Sequence, residues 1–279
     1  MMQAVSAAAL EKEERLKALL AGYGTLAIAY SGGVDSAYLA EVAHEVLGAG
    51  ARMILADSPS LPRSELEEAT RIAETRGWNL TVITTHEFSN ETFLQNDGKR
   101  CYICKSELFA CMREYAEKNG IRVLAYGETG DDVFDPTRLG KVAAKEHKVV
   151  APLQEAGLVK EEIRELSRQR GLPTWNKASF ACLSSRVPAG TRLTLDALGK
   201  VERAEELLKR LGFRQYRARH HGDLCRIEVE LDDFKKLLQK ETRERLVAEL
   251  RSIGYRHVTL DLAGYRMGST AKPPGDLGL

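Results

Sequence analysis

Short apolar runs and longer stretches of helical periodicity alternate through the first 170 residues. Residues 26–30 are apolar and end at Ser31-Gly32-Gly33; from Ser36 to about Leu47 the apolar spacing becomes helical and stops at Gly48. The pattern then repeats, with an apolar run at 53–56, helical spacing at 64–76 closed by Gly77, and a second run at 80–83. Residues 105–118 predict a helix closed by Gly120, 123–126 a strand, and 160–169 a helix ahead of Gly171. Residues 1–20 form an amphipathic helical pattern. This alternation predicts an α/β fold with a doubly wound parallel sheet.

The periodicity lapses between Leu172 and Thr194, where Pro173, Pro188, Gly190 and several Ser and Thr residues collect. Beyond it the pattern predicts a helix at 195–211, strands at 216–219 and 224–229, a helix at 232–253 and a strand at 257–260. That order predicts a smaller α+β domain with an antiparallel component. The expected organisation is a nucleotide domain at 1–171, a junction at 172–194 and a C-terminal domain at 195–279, ending in a frayed tail at 272–279.

Composition narrows the function classes. Lys plus Arg number 41 against 40 Asp plus Glu, so the chain as a whole lacks the strong positive field that duplex nucleic-acid binding requires, which leaves room for a local basic patch. No apolar run reaches the ~18 residues of a membrane span, and the acidic residues near the start are unlike a secretory signal, so a cytoplasmic protein is expected. Five cysteines in 279 residues argue for reduced thiols over a disulfide framework.

The segment Ser31-Gly32-Gly33-Val34-Asp35-Ser36 lies between a predicted strand and a predicted helix. Glycines there let backbone amides turn toward an anion, the helix N-terminus adds partial positive charge, and Ser31 and Ser36 add hydroxyls. Asp35 can hold the loop or position a metal ion on the phosphates; the plain structural alternative is a tight turn capped by Asp35 or Ser36. The loop is not GxxxxGK[ST]. It resembles the loop of the PP-loop family, the N-type ATP pyrophosphatases. That resemblance implies ATP and Mg²⁺ as cofactors, cleavage between the α and β phosphates, and transfer of AMP to a substrate oxygen. Asp57-Ser58 follows the second strand, where a doubly wound sheet places its ligand crevice, and the resemblance implies adenine or ribose contacts there. The acidic loop Gly127-Glu128-Thr129-Gly130-Asp131-Asp132 follows another strand and offers carboxylates for Mg²⁺ or ribose. Turn capping by Asp57 and simple surface acidity of the second loop are the structural alternatives.

Cys101-Tyr102-Ile103-Cys104 stands ahead of a predicted helix between Arg100 and Lys105, a setting that favours thiolate. Alone, such a pair is compatible with a redox couple, half a zinc site or part of an iron–sulfur site. Cys182 is the third candidate, inside the polar junction; Cys111 reads as core and Cys225 as a strand residue.

The segments 96–105 and 181–191, taken with the Ser31–Ser36 loop, resemble the LarE family nearly end to end. That family supplies sulfur for the nickel-pincer nucleotide cofactor of lactate racemase. The resemblance implies a nicotinate-derived substrate, pyridinium-3,5-biscarboxylic acid mononucleotide, whose carboxylates are adenylated and converted to thiocarboxylates. It also implies phosphate contacts from Arg217 and Arg219, a metal-binding glutamate at Glu228, a C-terminal arginine at Arg266, a homo-oligomer, and a downstream nickel-inserting enzyme. Arg217 and Arg219 alternate on a strand and so share one face, as bidentate phosphate contact requires; solvated surface arginines are the alternative. Some family members give up the sulfur of one cysteine near Ser184-Ser185-Arg186. Others hold a [4Fe-4S] cluster with a labile sulfide on three thiolates, and Cys101, Cys104 and Cys182 match that type.

Three rival readings share parts of this pattern. A PP-loop transfer-RNA thiolase needs a wide basic surface, which the near-neutral charge disfavours. An ammonia-using amide-forming ligase has no need of three cysteines. A non-catalytic cluster scaffold would release no pyrophosphate.

Overall fold

Each short apolar run in the first 170 residues becomes a parallel strand, and each helical periodicity a helix. The computed structural model describes residues 5–131, 139–178 and 181–266; Asp132 and the tail at 272–279 lie outside the described residues. The first half of the chain forms α1 (Ala7–Tyr23), β1 (Leu26–Ala29), α2 (Val34–Leu47), β2 (Ala51–Asp57), α3 (Arg63–Arg76), β3 (Leu80–Thr84), α4 (Glu91–Leu94), α5 (Arg100–Lys118) and β4 (Val123–Tyr126). The remainder forms α6 (Leu139–Glu146), α7 (Pro152–Glu155), α8 (Lys160–Gln169), α9 (Leu195–Arg210), β5 (Tyr216–His221), β6 (Leu224–Val229), α10 (Phe234–Leu237), α11 (Lys240–Ile253) and β7 (His257–Leu260). No helix among the described residues is long and apolar enough to cross a membrane.

Two compact units result. The first comprises Met1–Ser58, Arg63–Glu87 and Cys101–Ser179; the second comprises Pro59–Pro62, Phe88–Arg100 and Phe180–Leu279. In the first, four parallel strands lie in the order β3-β2-β1-β4, with Leu26 opposite both Ala51 and Val123. On one face Ala27, Ile54 and Leu124 pack with Phe109, Met112 and Ala116 of α5 and Ala143 and Ala144 of α6. Helix α2 contacts β1 and β2 and packs against α1 and α8. The fold is therefore α/β, with strands that read as continuous apolar runs because both faces are covered.

In the second unit a mixed three-stranded sheet has the order β5-β6-β7, with β5 and β6 antiparallel and β6 and β7 parallel. Its core joins Ala204, Leu207 and Leu208 of α9 to Ala218, Cys225, Ile227 and Val229 of the sheet and Leu246 and Leu250 of α11. The single helix expected over 232–253 is interrupted. Leu237 is buried, but the positions that would continue its face are Lys240 and Glu241; Gln239 is extended (φ −56°, ψ 138°) and α11 restarts on a new face.

His220 on β5 is buried, with Nδ1 3.1 Å from the Tyr255 hydroxyl. Burial and then the Lys200 charge hold its pKa below the ordinary 6.5. As pH falls below that value the unfolded chain binds the proton first, so this contribution to stability is present above pH 6.5 and is lost as pH falls toward the folded-state value. Thermal unfolding measured between pH 8 and about pH 5 is expected to show a smaller acid-side drop in His220→Gln than in the wild type.

Candidate active site

The chain runs outward from β1 through β2 to β3, then returns to the other side of β1 as β4. That reversal makes a topological switch point between β1 and β4, and the crevice beyond their carboxyl ends is where such sheets bind ligands. Two expected loops end up there: Ser31–Ser36 follows β1, and Gly127–Asp131 follows β4.

The first loop is organised by its own hydroxyls. The Ser31 amide donates to Ser36 Oγ (3.1 Å), the two serine hydroxyls are 3.1 Å apart, and Ser36 Oγ donates to the Gly33 carbonyl (3.3 Å). Gly33 is the N-cap of α2, with no side chain to block the amides of the first turn. Gly32 has φ +71°, and a Cβ there would lie 2.8 Å from Ala69 Cβ. At Gly127 the obstacle is backbone: its Cβ would stand 2.9 Å from the Ser36 backbone nitrogen, so β4 can lie this close to the α2 N-terminus only with glycine.

Acidic groups around the crevice carry partners. Lys160 Nζ at the start of α8 is ion-paired with Asp35, and the Lys160 amide donates to the Asp131 carboxylate (2.6 Å). Glu128 is buried and lies 2.9 Å from Lys141 Nζ. Asp57, at the end of β2, pairs with Arg63 Nη1 (2.5 Å), whose Nη2 holds the Ser58 carbonyl (2.8 Å). The Ser58 hydroxyl donates to buried Glu87. The first unit thus presents anion-binding amides beside a carboxylate–ammonium pair, a composition suited to a nucleotide phosphate and its divalent cation. Lys160, Arg63 and Glu87 escaped sequence reading; Lys160 stands 125 residues from Asp35, and no local pattern marks it.

The cysteines sort by environment. None of the five is in a disulfide. Burial, then the Glu107 charge, raises the Cys111 pKa, and burial pushes Cys225 up to about 12, so neither favours thiolate. Cys111 is half-buried on α5, with Sγ 3.8 Å from Glu107, rather than a core residue. Cys101 and Cys104 lie in the first two turns of α5, not ahead of it, three positions apart on one face; Cys101 is exposed and Cys104 half-buried. Their flanking cations are committed elsewhere. Arg100 donates to Asn96 Oδ1 (2.6 Å) and the Ser184 carbonyl (2.9 Å), and Lys105 lies over the rings of Phe109 and Tyr126. Cys182 is half-buried in the second unit. Among the described residues no group of three or more His, Cys, Asp or Glu side chains is placed to hold a metal ion.

Within the second unit the cysteine loop and the expected phosphate arginines come together. Arg217 and Arg219 share a face of β5 opposite the apolar core, both buried. Arg219 donates to the Ser185 carbonyl (3.0 Å) and to Glu228 (2.9 Å), and Arg226 pairs with the other Glu228 oxygen (3.2 Å). Glu228 is fully buried between those guanidiniums. Arg217 lies over the Tyr265 ring, 4.9 Å from its centre, and burial followed by the Arg186 charge lowers its pKa. Arg266, next to Tyr265, is exposed. Asn96 explains the joint appearance of the two distant motifs. It adopts φ +55°, and its amide donates to the carbonyls of Val187 (3.3 Å), Pro188 (2.9 Å) and Thr191 (3.0 Å).

No family model matches the chain. An uncharacterized protein of Synechocystis sp. is 41% identical over 259 residues, covering 92% of this chain and 96% of that one. The pyridinium-3,5-bisthiocarboxylic acid mononucleotide synthase of Lactiplantibacillus plantarum is 33% identical over 261 residues, 92% of each chain. The glutamine-hydrolyzing GMP synthase of Thermotoga maritima is 28% identical over 163 residues, 52% of this chain and 32% of that protein.

Close backbone approach at the switch point has a measurable consequence. Gly127→Ala is expected to cost about 1–3 kcal/mol of stability in chemical unfolding and to weaken ATP binding by at least about tenfold in calorimetry. Gly22→Ala meets nothing within 4 Å on α1 and is expected to leave binding unchanged while gaining up to about 1 kcal/mol.

Proposed function

The chain belongs to the LarE family of pyridinium-3,5-bisthiocarboxylic acid mononucleotide synthase, and we propose that it is the ATP-dependent sulfurtransferase that thiolates the carboxylates of pyridinium-3,5-biscarboxylic acid mononucleotide. The observation that carries this reading is similarity to the Lactiplantibacillus plantarum synthase over 92% of each chain, a span that takes in residues of both units. The match to the GMP synthase spans 52% of this chain, and we read the shared part as the ATP-activating one.

In this reading the amides of the Ser31–Ser36 loop and the α2 N-terminus receive the ATP phosphates. Asp35 turns toward Mg²⁺ and Lys160, its present partner, toward the phosphate oxygens, so two charges already in place are redistributed onto the incoming ones. Asp57 and Ser58 border the nucleoside, and Gly127 and Asp131 close the opposite side. A substrate carboxylate oxygen attacks the α-phosphorus and pyrophosphate leaves, making a poor leaving group into AMP. Hydrosulfide then attacks the acyl carbon, and AMP departs with the C–O electron pair; a second round treats the other carboxylate. Arg217 and Arg219 take the substrate phosphate bidentately while Glu228 orients Arg219, and Arg266 adds an exposed cation.

The sulfur source is the finer part of the proposal. Cys101, Cys104 and Cys182 are in no disulfide, none is buried, and thiolates are the donors an iron–sulfur cluster takes, so the donor set fits in its chemistry. A [4Fe-4S] cluster on those three would supply labile sulfide from its open iron. The protein is proposed to act in the cytoplasm as a homo-oligomer, ahead of a nickel-inserting enzyme.

Two measurements test the reading. Pyrophosphate release from Mg-ATP is expected to require the biscarboxylate mononucleotide, and release without it, or none with it, overturns the assignment. After anaerobic reconstitution with iron and sulfide, Cys101→Ala, Cys104→Ala and Cys182→Ala are each expected to lose cluster absorbance and iron while Cys111→Ala keeps both. Wild-type iron content in Cys182→Ala overturns the three-ligand cluster, and loss of one sulfur mass from Cys182 after turnover replaces it with the sacrificial route.

A further inference from the structure

Arg186 is the largest fully buried side chain among the described residues. Its Nε and Nη2 donate to the two oxygens of Glu205 (2.8 and 2.9 Å), the bidentate geometry that fixes a guanidinium in its plane. Nη1 points the other way, to the carbonyls of Ala181 (2.5 Å) and Cys182 (3.1 Å) and to Ser185 Oγ (2.8 Å). The Cys182 carbonyl also accepts from the Ser185 amide (3.0 Å) and hydroxyl (2.8 Å), and Cys182 itself is extended (φ −57°, ψ 154°) at the N-cap of the short turn Leu183–Arg186. On its far side Glu205 Oε1 accepts the Ala218 amide (3.1 Å), and Ala218 is the residue of β5 between Arg217 and Arg219.

From this chain of contacts we infer that Arg186, with Glu205, is a positioning residue that holds Cys182 at a set distance from the Arg217–Arg219 pair. The inference rests on the reading of Cys182 as a sulfur-handling thiol and of the two arginines as the substrate-phosphate site. A buried ion pair is a weak stabiliser, because desolvation offsets most of the attraction and apolar side chains fill the same volume as well. What it supplies here is geometry. One rigid guanidinium fork ties two consecutive peptide carbonyls at the cysteine to one carboxylate, and that carboxylate ties the strand that carries the phosphate arginines. Burial, and after it the neighbouring Arg186 charge, lowers the Arg217 pKa, which fits guanidiniums held close together.

Rate and labelling separate positioning from stability. In Arg186→Met/Glu205→Leu, which removes both charges together, and in Arg186→Lys, which keeps a charge but not the fork, the melting temperature is expected to stay near the wild-type value in at least one variant. In that folded variant substrate-dependent pyrophosphate release and the substrate KM are expected to be retained, while kcat for thiocarboxylate formation falls by about a hundredfold, the effect of misplacing a reacting group by about 1 Å. Iodoacetamide labelling of the apo-protein, followed for each cysteine by peptide mass spectrometry, is expected to become severalfold faster at Cys182 and to be unchanged at Cys101 and Cys104. Wild-type labelling at Cys182 in a folded variant, or equal losses of pyrophosphate release and sulfur transfer, would overturn the positioning role. If the wild type makes no thiocarboxylate, the function reading fails while the labelling comparison still decides whether Arg186 holds the cysteine loop.

Discussion

A charge taken out of water needs its counter-charge, and both units are organised around meeting that requirement. In the first, Arg170 joins Glu13 of α1 to Glu45 of α2, and Lys177 joins Glu65 and Glu68 of α3 to the segment after α8. Tyr38 completes the first of these networks by donating to Glu13 (2.8 Å). In the second, Arg186, Arg217 and Arg219 lie by the cysteine loop with the buried carboxylates of Glu205 and Glu228 beside them. The first unit uses paired charge to lock helices onto a sheet. The second uses it to hold buried guanidiniums of β5 and of the cysteine loop in place.

Much of the fold was legible in the chain because two periods suffice to read it. The runs at 26–30, 53–56, 80–83 and 123–126 correspond to β1 to β4, and α8 and β6 run over the ranges that their periodicity predicts. What local pattern could not supply was order and pairing. That β1 lies between β2 and β4 follows from long-range contacts, and only that order puts Gly127 against Ser36. The helical reading of 232–253 failed where a polar stretch of good helix formers disguised a change of buried face between Leu237 and Leu246.

The site was legible in proportion to how far backbone geometry dictates residue type. Ser31 to Ser36 announced itself because glycines, hydroxyls and a carboxylate have a joint use at the end of a strand. The arginines of β5 were visible as an alternation, but their burial and the carboxylates that neutralise them were not. Partners supplied from far along the chain, such as Lys160 for Asp35 and Glu205 for Arg186, carry no sequence signal of their own: a lysine at a helix start or a glutamate on a helix face reads as solvated charge until the fold brings it inward.

The second unit takes Asn96 from a segment that precedes most of its residues, and Asn96 then donates to a carbonyl 95 residues later. During synthesis, at about 5–20 residues per second, Thr191 follows Asn96 by about 5–20 s. Through that interval α4 and its apolar Phe93 must wait without the loop that later engages Leu94 and Asn96. The cysteine loop is thus a late assembly product of the nascent chain, and the stretch at 88–100 waits for it until Thr191 has been made.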